Sequence, residues 1–391
     1  MKYFLRLRFK KIGPWAKKNV IAAIVAFVHL FIFISPMGNY LEKLSLDLFY
    51  SIRGEAEPPR DVLIVALDDA SYKALGIRFD QMLPRDIHAS LVSRLAQFGA
   101  KGVFLDFLFD YADLDPTNDN LLADALKLIP CFLGKYSFKH AQLDSSGQSV
   151  LVEESMMPLE KFAVNAKKIV PVDLAVDSDG KVRSPFIEII NGRKNIPLGE
   201  MIESNNSHPM YGNRDFIYFY GPPGTIQSIP YYKVLQDNFE NTDVFKNKLV
   251  FVGRQISLDL PTKNKDTFIT PTSKNGMYGV EIHATIAANM QQQFWLKRQS
   301  PGVEGMCLSL FAFIFAILIV SFSPLNSVVI ILNLILLWSV VSYQLFKIGY
   351  FVPGVSLMFV VLPLVFLINV LYFYFSINRS FKDLESAFGL E

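Results

Sequence analysis

Asp68, Asp69 and Asp106 are the residues whose type and position point most directly to chemistry. Each stands at or just past the end of an apolar run, Val62 to Leu67 for the first two and Val103 to Leu105 for the third. If those runs are parallel strands, the carboxylates collect at the C-terminal edge of a sheet, where open α/β sheets bind ligands. Arg85 opens the helix that follows the first run and is placed to neutralise one of them. Asp68, Asp69, Arg85 and Asp106 are therefore expected to line a pocket for a small ligand or cation. The competing expectation is a structural cluster in which the aspartates cap helices and pair with Arg85, since charged networks also arise for structural reasons.

Other motifs carry less. Gly221-Pro-Pro-Gly224-Thr225 lacks the lysine and hydroxyl that a phosphate loop needs, because Ile226 and Gln227 follow, and it reads as a turn. Asp177-Ser-Asp179-Gly180 would put Ala175 and Phe186 at the first and twelfth positions of a calcium loop, so a tight turn between two strands is the expectation. Glu281 and His283 lie two apart and cannot share a helical face, and His88 and His140 have no ligand spacing. No G-x-S-x-G nucleophile elbow occurs. No catalytic residue, metal or cofactor is expected. Cys131 and Cys307 are the only cysteines, which disfavours a disulfide framework.

These residues need a scaffold. Strands are expected at 61–67, 101–108, 131–138, 168–174, 215–220 and 248–253, with helices at 84–95, 119–129 and 279–293. The alternation implies an α/β fold with a mainly parallel sheet and flanking helices. On either side of this segment the chain changes character. It is 51% hydrophobic and only 19% charged, below the roughly 25% usual for soluble domains. The shortage is local: 19–41 contains no Asp, Glu, Lys or Arg, and from 305 to 378 the only charge is Lys347. Transmembrane α-helices are expected near 19–36, 304–323, 326–346 and 354–377, four in all, with breaks at Ser323-Pro324 and Gly349 to Gly354.

Seven cations and no acid occupy residues 1–18, which places that arm in the cytoplasm. The expected division is a basic arm (1–18), a first span acting as an uncleaved anchor (19–41), an exported domain (42–300), three spans (301–378) and a cytoplasmic stub (379–391). Trp15, Tyr40, Trp295 and Tyr350 fall at the expected interfaces. His29, Asn333, Gln344 and Asn369 are expected to make interhelical hydrogen bonds. Beyond the last span, Tyr374, Ile377, Phe381, Leu384 and Phe388 repeat at 3-4-3-4 spacing, as in a coiled-coil seam. One reading is a signalling helix pairing two copies of the chain; the other is an amphipathic end lying on lipid. The excess of positive charge is confined to the arm, since the rest of the chain has 31 basic against 36 acidic residues, which argues against a nucleic-acid partner.

The ordered pieces Leu46-Asp47-Leu48, Val62 to Ser71, Pro84-Arg85, Gly99 to Phe109, Asp177 to Arg183, Tyr220 to Gly224, Leu249 to Gly253, Thr270-Pro271 and Gly279 to Ala284 resemble the type-two CHASE domain, an exported sensor. The resemblance covers about 45–295, and one span before with three after is also similar. It implies a multi-pass protein of a bacterial inner (plasma) membrane that detects an extracytoplasmic signal and passes it to a cytoplasmic output. That output is most often a class III adenylate or guanylate cyclase. At 391 residues the chain has no room for such a domain, so it is expected to lack catalysis itself. The expected partners are the lipid bilayer, a second copy of the chain, and an unknown small ligand or envelope protein. The alternative is a complete non-enzymatic membrane protein whose exported domain scaffolds envelope partners.

Overall fold

Uncharged apolar runs seed the helices and strands around which the chain is organised. The computed structural model describes residues 14–143, 149–190, 193–198, 215–257 and 266–388. The arm's Lys2, Arg6, Arg8, Lys10 and Lys11 lie outside the described residues. The helices are Pro14–Ile34 (α1), Pro36–Arg53 (α2), Asp69–Leu75 (α3), Arg85–Gln97 (α4), Pro116–Ala125 (α5), Glu160–Ala163 (α6), Tyr231–Leu235 (α7), Gly279–Gln292 (α8), Pro301–Val320 (α9), Pro324–Lys347 (α10) and Leu362–Ala387 (α11). The strands are Val62–Asp68 (β1), Gly102–Leu105 (β2), Cys131–Leu143 (β3), Ser149–Met156 (β4), Lys168–Pro171 (β5), Ala175–Val176 (β6), Val182–Ser184 (β7), Glu188–Ile190 (β8), Arg193–Asn195 (β9), Ser228–Pro230 (β10), Leu249–Gln255 (β11), Thr267–Thr270 (β12) and Ser273–Tyr278 (β13). These fall into two compact units, Tyr50–Leu296 and the remainder.

In the first of these units the sheet order is β10-β1-β11-β2-β3-β4, with β5 also on β3. Every pairing is parallel except β3 with β4. β1 pairs residue for residue with β11, from Val62 opposite Leu249 to Asp68 opposite Gln255. Val62 to Leu67 are buried on both faces, as helix-covered parallel strands require. Pro84 pre-sets the entry to α4, which buries Leu91, Val92 and Leu95 against the sheet. Each such side chain contributes about 1.5–3 kcal/mol by leaving water.

One expected strand is absent from the sheet. Residues 215–220 make only a single bridge, between Phe216 and Leu296. Loop backbone and side chains serve this segment instead: Ile217 N donates to the Arg183 carbonyl at 2.8 Å, and the Tyr220 carbonyl accepts from Ala56 N at 2.6 Å. Asn289 accepts from Tyr218 N at 2.7 Å and donates to its carbonyl at 3.0 Å. The Tyr50 hydroxyl and the Arg53 guanidinium donate to the carbonyls of Ile217 and Phe219. Buried polar backbone must be paired, but a sheet is not the only way to pair it. The edge position beside β1 goes to Ser228–Pro230. The helix expected at 119–129 begins earlier, because Asp115 caps it by accepting from Thr117 N at 2.9 Å.

The second unit holds four helical stretches long and apolar enough to cross a membrane: Trp15–Ile34, Pro301–Val320, Pro324–Lys347 and Ser356–Lys382. The apolar run 19–41 is broken at Ser35, whose hydroxyl accepts from Gly38 N at the start of α2. Ala22, Ala312 and Ala316 are buried among Val25, Phe33, Leu308 and Ile319, and small side chains of this kind let helices approach closely. His29 and Ser309 lie 3.0 Å apart across α1 and α9, and Asn369 donates to Ser327 Oγ at 2.8 Å. Asn333 does otherwise: it bonds the Val329 carbonyl of its own helix. Pro363 has no N–H for the preceding turn, and Ser356–Val361 is wound as a π-helix.

Candidate functional site

The parallel register brings three strand ends together. Leu67 lies opposite Arg254, and Asp106 extends β2 by donating its N–H to the Val252 carbonyl at 2.8 Å. Beyond this edge opens a cavity of about 1340 Å³, larger than the 300–1,000 Å³ of ordinary small-molecule sites. Asp69, Arg85 and Asp106 line it, and so do Arg254 and Asp266. Asp68 is not among the lining residues. It caps α3, accepting from Ser71 N at 2.8 Å and Ser71 Oγ at 2.6 Å. Gly253 permits the construction, because a Cβ there would lie 2.6 Å from Val280 Cβ and 3.3 Å from Asp106 Cβ.

The charges are not arranged as simple pairs. Burial, reinforced by the neighbouring Asp266 carboxyl, holds the Asp106 carboxyl well above the usual carboxylate range. Asp266 keeps an exposed surface, but protein packed around its carboxyl strips water from it and lifts it to about 6, against the pull of Arg254. Arg85 does not turn to Asp68 or Asp106. Its backbone N–H donates to Asp113 at 2.8 Å and its guanidinium to the Tyr111 carbonyl at 3.2 Å, while the guanidinium carbon lies 4.7 Å from the Phe109 ring centre. Burial lowers the Arg85 pKa, and nearby Tyr111, Asp119, Asp113 and Asp110 oppose that. Arg254 donates to the Phe79 carbonyl at 3.0 Å and lies over Tyr72 at 5.9 Å. Asp69 uses one oxygen to accept from Ser257 N and Oγ. His88, whose Nδ1 is 3.0 Å from the Tyr231 hydroxyl, is driven down to about 3 by burial and then by Arg85.

Four buried polar atoms on lining residues have no hydrogen-bond partner among the described residues: Asp69 Oδ1, Arg85 Nε, Asp106 Oδ2 and Arg254 Nε. A buried polar group costs free energy unless it is paired, and these four atoms are closed off from the cavity itself, so they record strain at its wall. The cavity wall carries both signs: Asp69, Asp80, Asp106, Asp110 and Asp266 against Lys73, Arg78, Arg85 and Arg254.

The remaining motifs are structural. Glu281, buried in α8, accepts from Gly224 N at 2.8 Å and from Ile226 N at 3.5 Å, clamping the Gly221–Gly224 turn. Burial lifts its carboxyl to about 7 despite those bonds. Asp177 and Asp179 hold Arg183, a fully buried cation, at 2.6 Å and 2.7 Å across the β6–β7 hairpin, where Gly180 takes φ +82°. His283 packs edge-on against Phe104 at 5.7 Å, and burial lowers its pKa to about 4. Tyr374, Ile377, Phe381, Leu384 and Phe388 lie on α11 and its end, 39–75% exposed.

Arg254 and Asp266 were not singled out by type or spacing. The rule that selects Asp68 and Asp106 selects Arg254 equally, since it ends the apolar run 249–253. Asp266 has no comparable signal.

No curated protein and no solved structure matches the chain. A family model described as the CHASE2 domain matches residues 22–322, from within α1 to just past α9. That match takes in both the site and the first two long apolar helices, and it spans well over half of the sequence: the chain belongs to the CHASE2 domain family, a family of sensory domains.

Proposed function

We propose that this chain is the sensing and transmitting part of a membrane receptor, with the cavity at the strand ends as its input. The observation that carries this reading is the large cavity at the strand ends of a CHASE2 domain, walled by Asp69, Arg85, Asp106 and Arg254. Residues 42–300 stand outside a bacterial inner membrane, the helices within 19–41 and 301–378 cross it, and both termini are cytoplasmic. The cytoplasmic cations of the arm set that orientation. The end of α11 and Phe388 pair two copies through Tyr374, Ile377, Phe381, Leu384 and Phe388. The output they control is a class III nucleotide cyclase.

Transmission runs through α2. Near its start, Glu42 is buried and accepts from Gly354 N, Val355 N, Ser356 N and Ser356 Oγ, at the beginning of the last apolar helix. At its end, Tyr50 and Arg53 bond the 217–219 backbone of the sensory unit. An occupied cavity favours one of two packings, and it acts only through its difference in affinity for the two.

The test is disulfide cross-linking of a Leu384→Cys chain in native membranes. The proposal expects Asp106→Asn and Glu42→Gln each to change the cross-linked fraction severalfold at equal expression. An unchanged fraction in both variants overturns it.

A further inference from the structure

We infer that Glu281 is a proton-operated latch between α8 and the 221–226 turn, closed in acid and released as pH rises, an input separate from the cavity. Three observations carry it. First, the latch is sealed: Glu281 is 1% exposed, its two oxygens accept from Gly224 N at 2.8 Å and 3.1 Å, and the nearer one also accepts from Ile226 N. Second, no cation answers the carboxyl. Among the described residues it makes no salt bridge, so burial lifts it to about 7 and only the N–H groups of Gly224, Ile226 and Thr225 oppose that. Third, the latch sits where two chain connections meet. The turn follows the 217–219 backbone that holds Tyr50 and Arg53 of α2, and α8 leads through 293–300 to α9. The other ties between α8 and this segment, from Asn289 and Gln292 to Tyr218 and Tyr220, are uncharged.

A carboxyl that ionises near 7 when latched and near 4.5 when free holds its proton better latched, so rising pH opens the latch. The groups around it differ. Glu55 stands beside Gly221, 3.1 Å from where a Cβ would be. On α8, burial keeps His283 down at about 4, beside Asp173, and before the turn it pushes Tyr220 up to about 12. The strands packed on α8 bring only Asp68, Arg254 and Lys274. Asp266, whose carbonyl accepts from Gly279 N at the start of α8, is held at about 6, with Asp106 raised alongside it, and shares the pH window.

Hydrogen–deuterium exchange of the full chain in lipid nanodiscs, read by mass spectrometry on peptides covering 221–227, tests this, because the Gly224 N–H is bonded to Glu281. With labelling times scaled for the intrinsic exchange rate, protection of these amides in the parent should fall about tenfold from pH 6 to pH 8, the change that a shift from 4.5 to about 7 sets. Protection of 249–253 in β11 should stay constant. Glu281→Gln keeps an acceptor but cannot ionise, and should abolish the fall, whereas Asp266→Asn and Glu55→Gln should keep it. A parent whose 221–227 protection does not change with pH overturns the latch, whether or not Glu281→Gln folds. So does a fall that persists in Glu281→Gln or disappears in Asp266→Asn or Glu55→Gln, since another group is then the one that titrates. The readout needs no ligand, so its failure leaves the cavity standing as the input, and the cross-linking response at Leu384→Cys tests that reading separately.

Discussion

Glu42 and Ser356 are bonded twice: one carboxylate oxygen accepts from the Ser356 backbone N–H at 2.9 Å and from its hydroxyl at 2.8 Å. The other oxygen takes Gly354 N at 2.7 Å and Val355 N at 3.1 Å. A side chain from α2 thus caps a helix more than 300 positions away in sequence, with its negative charge at the positive end of the helix dipole. Glu42→Gln keeps the shape but turns an NH₂ group toward backbone donors. The expected loss is about 2–3 kcal/mol, one or two charged hydrogen bonds, read as a lower Tm of the full chain in nanodiscs. An unchanged Tm contradicts the cap.

Arg183 offers a sharper stability test. It is fully buried between Asp177 and Asp179, so Arg183→Met leaves two carboxylates without their cation. Removing one partner of a buried pair costs about 3–5 kcal/mol. Chemical denaturation of the two variants should place Arg183→Met well below Asp179→Asn, which leaves Asp177 in place.

Protonation of the carboxyl pair has a definite sign. Asp266 is held up to about 6 and Asp106 is raised in the same direction, so folding favours their protonated forms. That contribution is complete below the unfolded value near 3.8 and is lost as pH rises through about 6. Glu281, lifted to about 7, behaves alike, while His88 and His283, lowered to about 3 and 4, lose stability in the opposite direction as pH falls. The whole-protein curve therefore mixes signs, and the difference between variant and parent is the informative quantity. The Tm of Asp266→Asn minus that of the parent should increase from pH 5 to pH 8. A flat difference would remove the raised carboxyl from the account.

Orientation is checked by thiol labelling in a Cys307→Ser background. Lys127 and Arg379 are both exposed. A membrane-impermeant reagent should modify Lys127→Cys in intact cells, and Arg379→Cys only after permeabilisation. The reverse pattern would place the sensory unit in the cytoplasm.

Much of the fold is legible locally. Val62 to Leu67 and Leu249 to Val252 are uninterrupted apolar runs because both faces of their strands are covered, and Pro84 and Asp115 announce the helices after them. What is not legible depends on distant pairing. β11 lies between β1 and β2 although it follows them by well over a hundred residues, and only that insertion carries Arg254 to Leu67. Asp106 is identifiable as a strand-end carboxylate, but Asp266, which shifts its protonation, is not. Tyr218 reads as part of a strand, yet its backbone is satisfied by the Asn289 side chain, an arrangement with no periodic signature. Asp68 illustrates the limit from the other side: the residue type and position are right for a strand-end site, and its carboxylate is spent on Ser71.

The most direct measurement is an experimental density map of the full chain purified from its own membranes without added ligand competitors. The account predicts density in the cavity bounded by Asp69, Arg85, Asp106 and Arg254. A cavity filled by those same side chains, bonded to one another with no space between them, would contradict it.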